Sequence, residues 1–375
     1  MEYEFNYFDM KIRHLFNAVA IAIALPLVSC TENLGVFQED NPILFDISDN
    51  VTRGATVNTI TSFGVSASVY AAGASYTSAQ SGSYFFNTPA TANSYMGYFW
   101  PTSDYKLSFF GYYPYGSNLL TVEQQLGHPV YTYSVPSDVN NQIDFMTAST
   151  LNVTCPSQSP VLLTFSHRLA AIDFTVYNTG RTSVTVKSIT LKGFKYSGRL
   201  NNSSWTLLGS ANTSSVNPFV YSPNMNLAAD DEVDVSGSNG HIMTIPQTVL
   251  SGTEFLELVL TINEEDKMFT STLESNFNFI MGKKYRFNLN VSDNSVEISS
   301  VAVIDWDVTP VETIGATSPD WAYMPISTVF TEVTDWQNGG GSSSGGSGGE
   351  GGPSGGDDNN NSGNTSTGIE NWQEE

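Results

Sequence analysis

The sequence predicts an all-β protein, and three observations carry that prediction. Apolar and polar residues alternate over many short segments, turn-forming residues separate these segments, and no long amphipathic helical pattern is present. The chain has 375 residues and a formal net charge of −23. Such an excess of acid repels nucleic-acid phosphates and argues against nucleic acid as a partner. Only 14% of the residues are charged, so Ser, Thr, Asn and Gly supply much of the polar surface.

The N-terminal segment has the pattern of an exported lipoprotein. Residues 1–9 contain no Lys or Arg, whereas basic and then apolar residues follow Met10. We therefore expect translation to start at Met10 and residues 1–29 to form a signal peptide. The apolar run is too short to span a bilayer and ends in Leu27-Val28-Ser29-Cys30, which resembles a bacterial lipobox. This predicts lipidation of Cys30 and attachment to a membrane. The alternative is an ordinary signal peptide followed by a chance cysteine.

Strands are predicted along the whole body of the chain. In the first half they cover residues 63–70, 94–100, 106–113, 130–135 and 142–147, with turn residues between them. In the second half, residues 256–262 alternate, and residues 285–298 form two alternating runs around a Ser-Asp-Asn turn, which predicts a hairpin. The alternation slips by one residue between Val186 and Ile189 and between Leu169 and Ile172. Each slip predicts a bulge or a strand that changes face.

The chain divides at two changes of composition. A Pro- and Ser-rich stretch around residues 155–160 suggests a boundary between a β-sandwich domain at 54–160 and a second one at 161–337. Residues 338–375 are rich in Gly, Ser and Asn and contain no Lys or Arg, so we expect a disordered tail.

No constellation predicts catalysis, a metal site or a cofactor. The histidines His14, His128, His167 and His241 are scattered without metal-ligand spacing, and His167 is expected to be a satisfied core or rim residue. Cys155 has no histidine near it in sequence and is expected to be a small buried apolar residue. Paired carboxylates for glycoside hydrolysis stay open, because they need only be close in space. We expect a protein that is not an enzyme.

One aromatic segment has two interpretations. The rings of Tyr112-Tyr113-Pro114-Tyr115 form either a platform that stacks on sugars or part of the packing of a β-sandwich, and packing is the commoner role of such rings. The first interpretation corresponds to a surface lipoprotein that binds glycans and does not polymerise.

A series of short motifs resembles the fimbrillin family of Bacteroidales, which comprises the type V pilins and Mfa-like lipoproteins. In order, the motifs are the lipobox, Val51-Thr52-Arg53, Leu107 to Pro114, Asp144 to Ala148, Leu163 to Phe174, Lys284 to Leu289, and Val301 to Trp306. The resemblance implies two tandem transthyretin-like β-sandwich domains on a lipoprotein of the outer membrane and cell surface. It also implies a fimbrial subunit with a role in cell adhesion, with a host protein or glycan left open as ligand.

The same resemblance implies a route of assembly. An Arg-specific protease removes the N-terminal segment with its first strand, and a strand from another pilin subunit fills the groove that is left. Arg53 follows a strand-like segment and precedes Gly54-Ala55, so we expect cleavage between Arg53 and Gly54, the alternative being an ordinary loop arginine. The removable segment is then 30–53. The donor strand is expected within 308–336, at 308–314 or 326–333. The long tail leaves stalk, tip and accessory roles open.

Overall fold

A computed structural model describes residues 41–49, 60–78, 81–155, 160–235, 241–306 and 322–334. These residues form 24 strands and a single-turn 3-10 helix at Val139–Asn141, and the predicted all-β fold is confirmed. The strands are β1 Phe45–Asp49, β2 Ser62–Ala71, β3 Gly82–Thr91, β4 Tyr105–Tyr113, β5 Leu120–Gln124, β6 Pro129–Ser134, β7 Met146–Thr154, β8 Val161–His167, β9 Ala170–Asn178, β10 Val184–Leu191, β11 Lys195–Asn201, β12 Ser204–Ala211, β13 Phe219–Tyr221, β14 Met225–Leu227, β15 Glu232–Asp234, β16 Ile242–Thr244, β17 Gln247–Val249, β18 Glu254–Ile262, β19 Glu265–Leu273, β20 Phe277–Phe279, β21 Lys283–Val291, β22 Val296–Asp305, β23 Ala322–Met324 and β24 Thr328–Glu332.

The described strands form five sheets. The first has the order β1-β8-β7-β4-β2-β3, and the second is β13-β10-β18-β19-β24 with β14 beside β10. The third is β12-β11-β6-β5, the fourth is β15-β9-β21-β22-β23 with β16 beside β9, and the fifth pairs β17 with β20. Most neighbours are antiparallel, but β1 runs parallel to β8 and β9 runs parallel to β21.

Two hydrophobic cores hold these sheets together. The first core is packed by one face of the first sheet and includes Phe45, Phe63, Phe109 and Phe165, all with no exposed surface. The second, larger core is built by strands of the other four sheets together with Tyr112 of β4. Their aromatic rings meet mostly edge-on or tilted, as ring quadrupoles favour.

The alternating segments fold as their period of two dictates. In β18 and β21 the apolar residues point into the second core while the polar residues between them stay partly exposed. The hairpin predicted at 285–298 is confirmed, since β21 pairs with β22 and the Ser292 N–H donates to the Ser295 carbonyl at 2.8 Å. Both predicted phase slips are also confirmed. The register shifts between Val186 and Ser188 as a bulge, and the chain passes from β8 in the first sheet to β9 in the fourth.

Other predicted boundaries differ from the structure. Residues 94–100 form only an isolated bridge between Phe99 and Pro42, and residues 142–145 precede the strand that begins at Met146. The boundary predicted after residue 160 falls between β7 and β8, which pair within the first sheet. The physical reason is that Leu163 and Phe165 belong to the first core. Conversely, the β5–β6 hairpin, assigned to the N-terminal domain, joins the third sheet.

Candidate strand-exchange groove

β1 lies at the edge of the first sheet, within the segment 30–53 that is predicted to be removable. Phe45 lies opposite Val161 in the parallel register, and the Val161 N–H donates to the Leu44 carbonyl at 2.8 Å. On the other side of the segment, the Asn93 N–H donates to the Phe45 carbonyl at 2.7 Å. A loop therefore covers this edge where a further strand would pair.

The side chains of this segment alternate between core and solvent. Ile43 and Phe45 are fully buried and Ile47 packs against the first core, whereas Asp46 is exposed. The Phe45 ring meets Phe63 and Phe109 edge-on, with centroids 5.9 and 5.2 Å away. Full burial of two such side chains stabilises the fold by roughly 3–6 kcal/mol. Loss of the segment would leave an apolar groove along β8 with an unpaired row of backbone groups.

The residues proposed for lipidation and processing lie outside the described residues. Cys30 precedes the first described segment, and Arg53 and Gly54 fall between β1 and β2. The donor candidate at 308–314 also lies outside the described residues, as does the predicted tail. All four stay predictions.

The second donor candidate, 326–333, is folded against its own chain. Its β24 pairs antiparallel with β19 at the edge of the second sheet, and the Val333 N–H donates to the Met268 carbonyl at 2.9 Å. Phe330 packs against the second core, while Val329 is half exposed, at 50%. The same strand therefore presents one apolar side chain inward and another to solvent.

The residues considered for other chemistry have structural roles. His167 is buried and its Nδ1 lies 2.5 Å from Asp144 Oδ2, and His128 Nε2 lies 2.8 Å from Asn201 Oδ1. Cys155 accepts a hydrogen bond from the Asn41 amide at 3.0 Å, and burial raises the pKa of its thiol, which opposes nucleophilic use. Cys155 is only partly buried, so it packs at the rim of the first core rather than inside it.

The aromatic segment 112–115 is largely absorbed by packing. Tyr112 is 2% exposed and its hydroxyl donates to Asn87 Oδ1, Tyr113 is half-buried, and Tyr115 is 39% exposed. This arrangement favours the packing interpretation over a sugar platform.

Two kinds of feature are absent from the described part of the chain. No group of three or more His, Cys, Asp or Glu side chains there has a metal-binding arrangement. Among those same residues there is also no helix of the length and hydropathy that a bilayer crossing needs.

The fold also forms a cluster whose members no contiguous motif brings together. The structure brings together Asp144, His167, Asp173, His241 and Trp306, residues that are far apart in the chain. Four of the five lie in motifs quoted above for the family resemblance. The family motifs therefore already contained most of the cluster residues. That these residues lie close together could not be predicted without knowing how the strands pair.

Comparison with known proteins identifies similar sequences and structures. A family model described as fimbrillin-like matches residues 51–306, a range that includes β2 to β22. No curated protein matches the chain. A candidate cell adhesion protein from Bacteroides uniformis is 18% identical, with a TM-score of 0.42, over 72% of this chain and 99% of its own. A second one, from Bacteroides ovatus, is 18% identical with a TM-score of 0.43 over the same shares. A fimbrial assembly protein from Parabacteroides distasonis is 14% identical, with a TM-score of 0.33, over 70% of this chain and 95% of its own.

Proposed function

The chain belongs to the fimbrillin-like family, and from that premise we propose that it is a subunit of a surface fimbria with a role in cell adhesion. In this proposal it is exported as a lipoprotein, lipidated on Cys30 and held at the outer membrane. An Arg-specific protease then cuts between Arg53 and Gly54, and the subunit polymerises by strand exchange.

The arrangement of β1 is the observation that carries the proposal. Ile43, just before the strand, and Phe45 and Ile47 within it contact the first core. β1 forms a ladder with β8, and its segment is bonded on the other side only to the loop residues 93–100 among the described residues. Because it lies at a sheet edge, it can leave without breaking the ladders between the remaining strands. What it leaves behind is costly to expose, since it combines apolar surface with unpaired backbone groups. A strand donated by another subunit would cover both.

The groove sets a requirement for the donor. It needs apolar side chains at alternate positions, as in Ile43, Phe45 and Ile47. Segment 326–333 offers Val329 and Val333 on one parity and Ile326 and Phe330 on the other. To act as donor it would have to leave β19, with which it pairs in this structure. Segment 308–314 contains Pro310, which suits an exchanged edge strand.

Processing can be tested with the full chain and a matched control. We expect an Arg-specific protease to convert the protein to a species that starts at Gly54 and forms SDS-resistant ladders. Arg53→Ala should block both changes, whereas Arg181→Ala, at an exposed arginine in a turn, should block neither. A mature mass and ladder unchanged by Arg53→Ala would refute the cleavage proposal.

Lipidation and donation each need their own experiment. Cys30→Ser should abolish incorporation of labelled palmitate, and label retained by that variant would refute lipidation. Deletion of 308–336 should abolish polymers while leaving a soluble folded subunit, and polymers that survive the deletion would place the donor elsewhere.

A further inference from the structure

A cluster of polar and aromatic side chains is buried where the first and fourth sheets meet, and we call it the junction cluster. Its members are Asp144, His167, Asp173, His241, Lys284, Arg286 and Trp306. His167 is the last residue of β8 in the first sheet, and Trp306 directly follows β22 of the fourth. Contacts within the cluster therefore connect the first and fourth sheets.

Trp306 occupies a slot between two histidines. Its indole stacks on the His167 ring with centroids 4.3 Å apart and planes inclined by 4°, and His241 meets it edge-on at 6.3 Å and 88°. The backbone N–H of Trp306 donates to the Gly282 carbonyl at 2.8 Å, and the residue is 7% exposed. The ring and the backbone of this residue are thus both engaged.

His241 is buried without a hydrogen bond to either ring nitrogen within the described part of the chain. Its side chain is 8% exposed, and Nδ1 lies 3.6 Å from Oδ2 of the fully buried Asp173. That carboxylate already accepts two hydrogen bonds from Arg286, at 3.2 and 3.1 Å, and lies 3.8 Å from Lys284 Nζ. Two cations from β21 therefore satisfy Asp173 before His241 carries any charge.

The charged groups around His241 come from four strands. β9 contributes Asp173, β21 contributes Lys284 and Arg286, β8 contributes His167, and β15 contributes Asp234, which accepts a hydrogen bond from Arg286 at 3.1 Å. Burial lowers the pKa of His241 to about 4; the Asp173 charge opposes this, while Lys284, Arg286 and His167 add to it. The folded protein therefore holds the ring neutral at pH 7.

We propose that the junction cluster is an acid-sensitive latch, in which protonation of His241 frees Trp306 from its slot and loosens the contact between the first and fourth sheets. The imidazolium is a third cation beside the buried Asp173 carboxylate, and neither ring nitrogen of His241 has a hydrogen-bond partner within the described part of the chain. Relief comes from opening the site to water. None of the cluster residues belongs to β1 or β24, although His167 ends β8, the strand with which β1 pairs.

The sign of the effect follows from proton linkage. The unfolded chain binds a proton at His241 with an ordinary pKa near 6.5, whereas the folded chain does so only near 4. Above pH 6.5 His241 is neutral in both states, so it does not lower the free energy of unfolding. As the pH falls from 6.5 towards 4, the unfolded chain gains a proton there that the folded chain does not, and the free energy of unfolding decreases. The ratio of folded to unfolded protein should fall by about 30-fold at pH 5 from this residue alone.

The first experiment compares urea unfolding of the full chain between pH 7.5 and 4 in matched variants. His241→Asn and His241→Gln remove the titrating ring, and His128→Asn makes the same change at a partly exposed histidine. Between pH 7.5 and pH 5, the ratio of folded to unfolded protein should fall about 30-fold further in the wild type and in His128→Asn than in either His241 variant. Parallel loss in all four proteins would overturn the proposal.

The second experiment observes the two rings directly. In the wild type, the NMR titration of the His241 ring should have its midpoint near pH 4. Acrylamide quenching of Trp306, taken as the difference between wild type and Trp306→Phe, should rise over the same range. A His241 midpoint near 6.5, or quenching that stays flat while His241 titrates, would overturn the latch.

Discussion

Phe45→Ala tests whether the Phe45 side chain anchors β1 to the first core. The phenyl ring is fully buried against Phe63 and Phe109, so its loss removes transfer free energy and leaves a cavity in the first core. Substitutions of this kind cost about 3–5 kcal/mol. Leu126→Ala, at a side chain that is 72% exposed, is the matched control and should change stability by no more than about 0.5 kcal/mol.

The informative measurement is made after cleavage at Arg53. In the wild type the cut fragment should stay bound through the contacts of Ile43, Phe45 and Ile47 until another strand displaces it. Phe45→Ala removes the largest of these contacts, so the affinity for the fragment should fall by about two to three and a half orders of magnitude. Size-exclusion chromatography followed by mass spectrometry would measure how much fragment each cut protein retains.

Two outcomes would refute this reasoning. If Phe45→Ala and Leu126→Ala retained the fragment equally, Phe45 would not anchor β1. If Phe45→Ala released the fragment but polymerised no faster than wild type, departure of β1 would not limit assembly.

Three further predictions concern packing, charge and pH. Gly64→Ala should lower the free energy of unfolding by about 1–3 kcal/mol in urea titrations, because the added Cβ would lie 2.1 Å from the buried Tyr112 ring. The control is Gly73→Ala, whose added Cβ meets no atom within 4 Å and which should be nearly neutral. Asp173→Asn should cost about 3–5 kcal/mol in the same assay, since it leaves buried cations without their carboxylate. Burial raises the pKa of Tyr84 to about 12. In the folded protein an ultraviolet difference titration should therefore show this phenol ionising well above pH 10. The stability that its neutral form contributes should decline as the pH rises from 10 towards 12.

Much of the fold was readable from local pattern. Segments 256–262 and 285–291 alternate cleanly because each has one face in the second core and the other partly exposed. The slip between Leu169 and Ile172 correctly indicated a strand that changes sheet. In contrast, β3 was missed because Pro89 and several polar residues interrupt its pattern, which an edge strand tolerates.

The candidate sites were predictable to different degrees. The lipobox and the Arg53-Gly54 pair are contiguous motifs, so the sequence alone proposes them. The junction cluster is not contiguous, because Asp173 and Lys284 meet only when β9 and β21 pair in parallel. The change of composition near residue 160 marks a loop but does not tell which sheet the next strand joins, and β8 joins the first sheet.

The position of Trp306 has a mechanical consequence. β9 begins at Ala170 and β22 ends at Asp305, directly before Trp306, and both positions lie at the end of the fourth sheet where β21 begins. Tension applied through these two points would load the stack of His167 on Trp306 before any ladder. Once the stack failed, the ladders would open one hydrogen bond at a time from that end instead of being sheared together. Single-molecule pulling between these positions should therefore show a rupture force that falls in Trp306→Ala, and an unchanged force would contradict this load path.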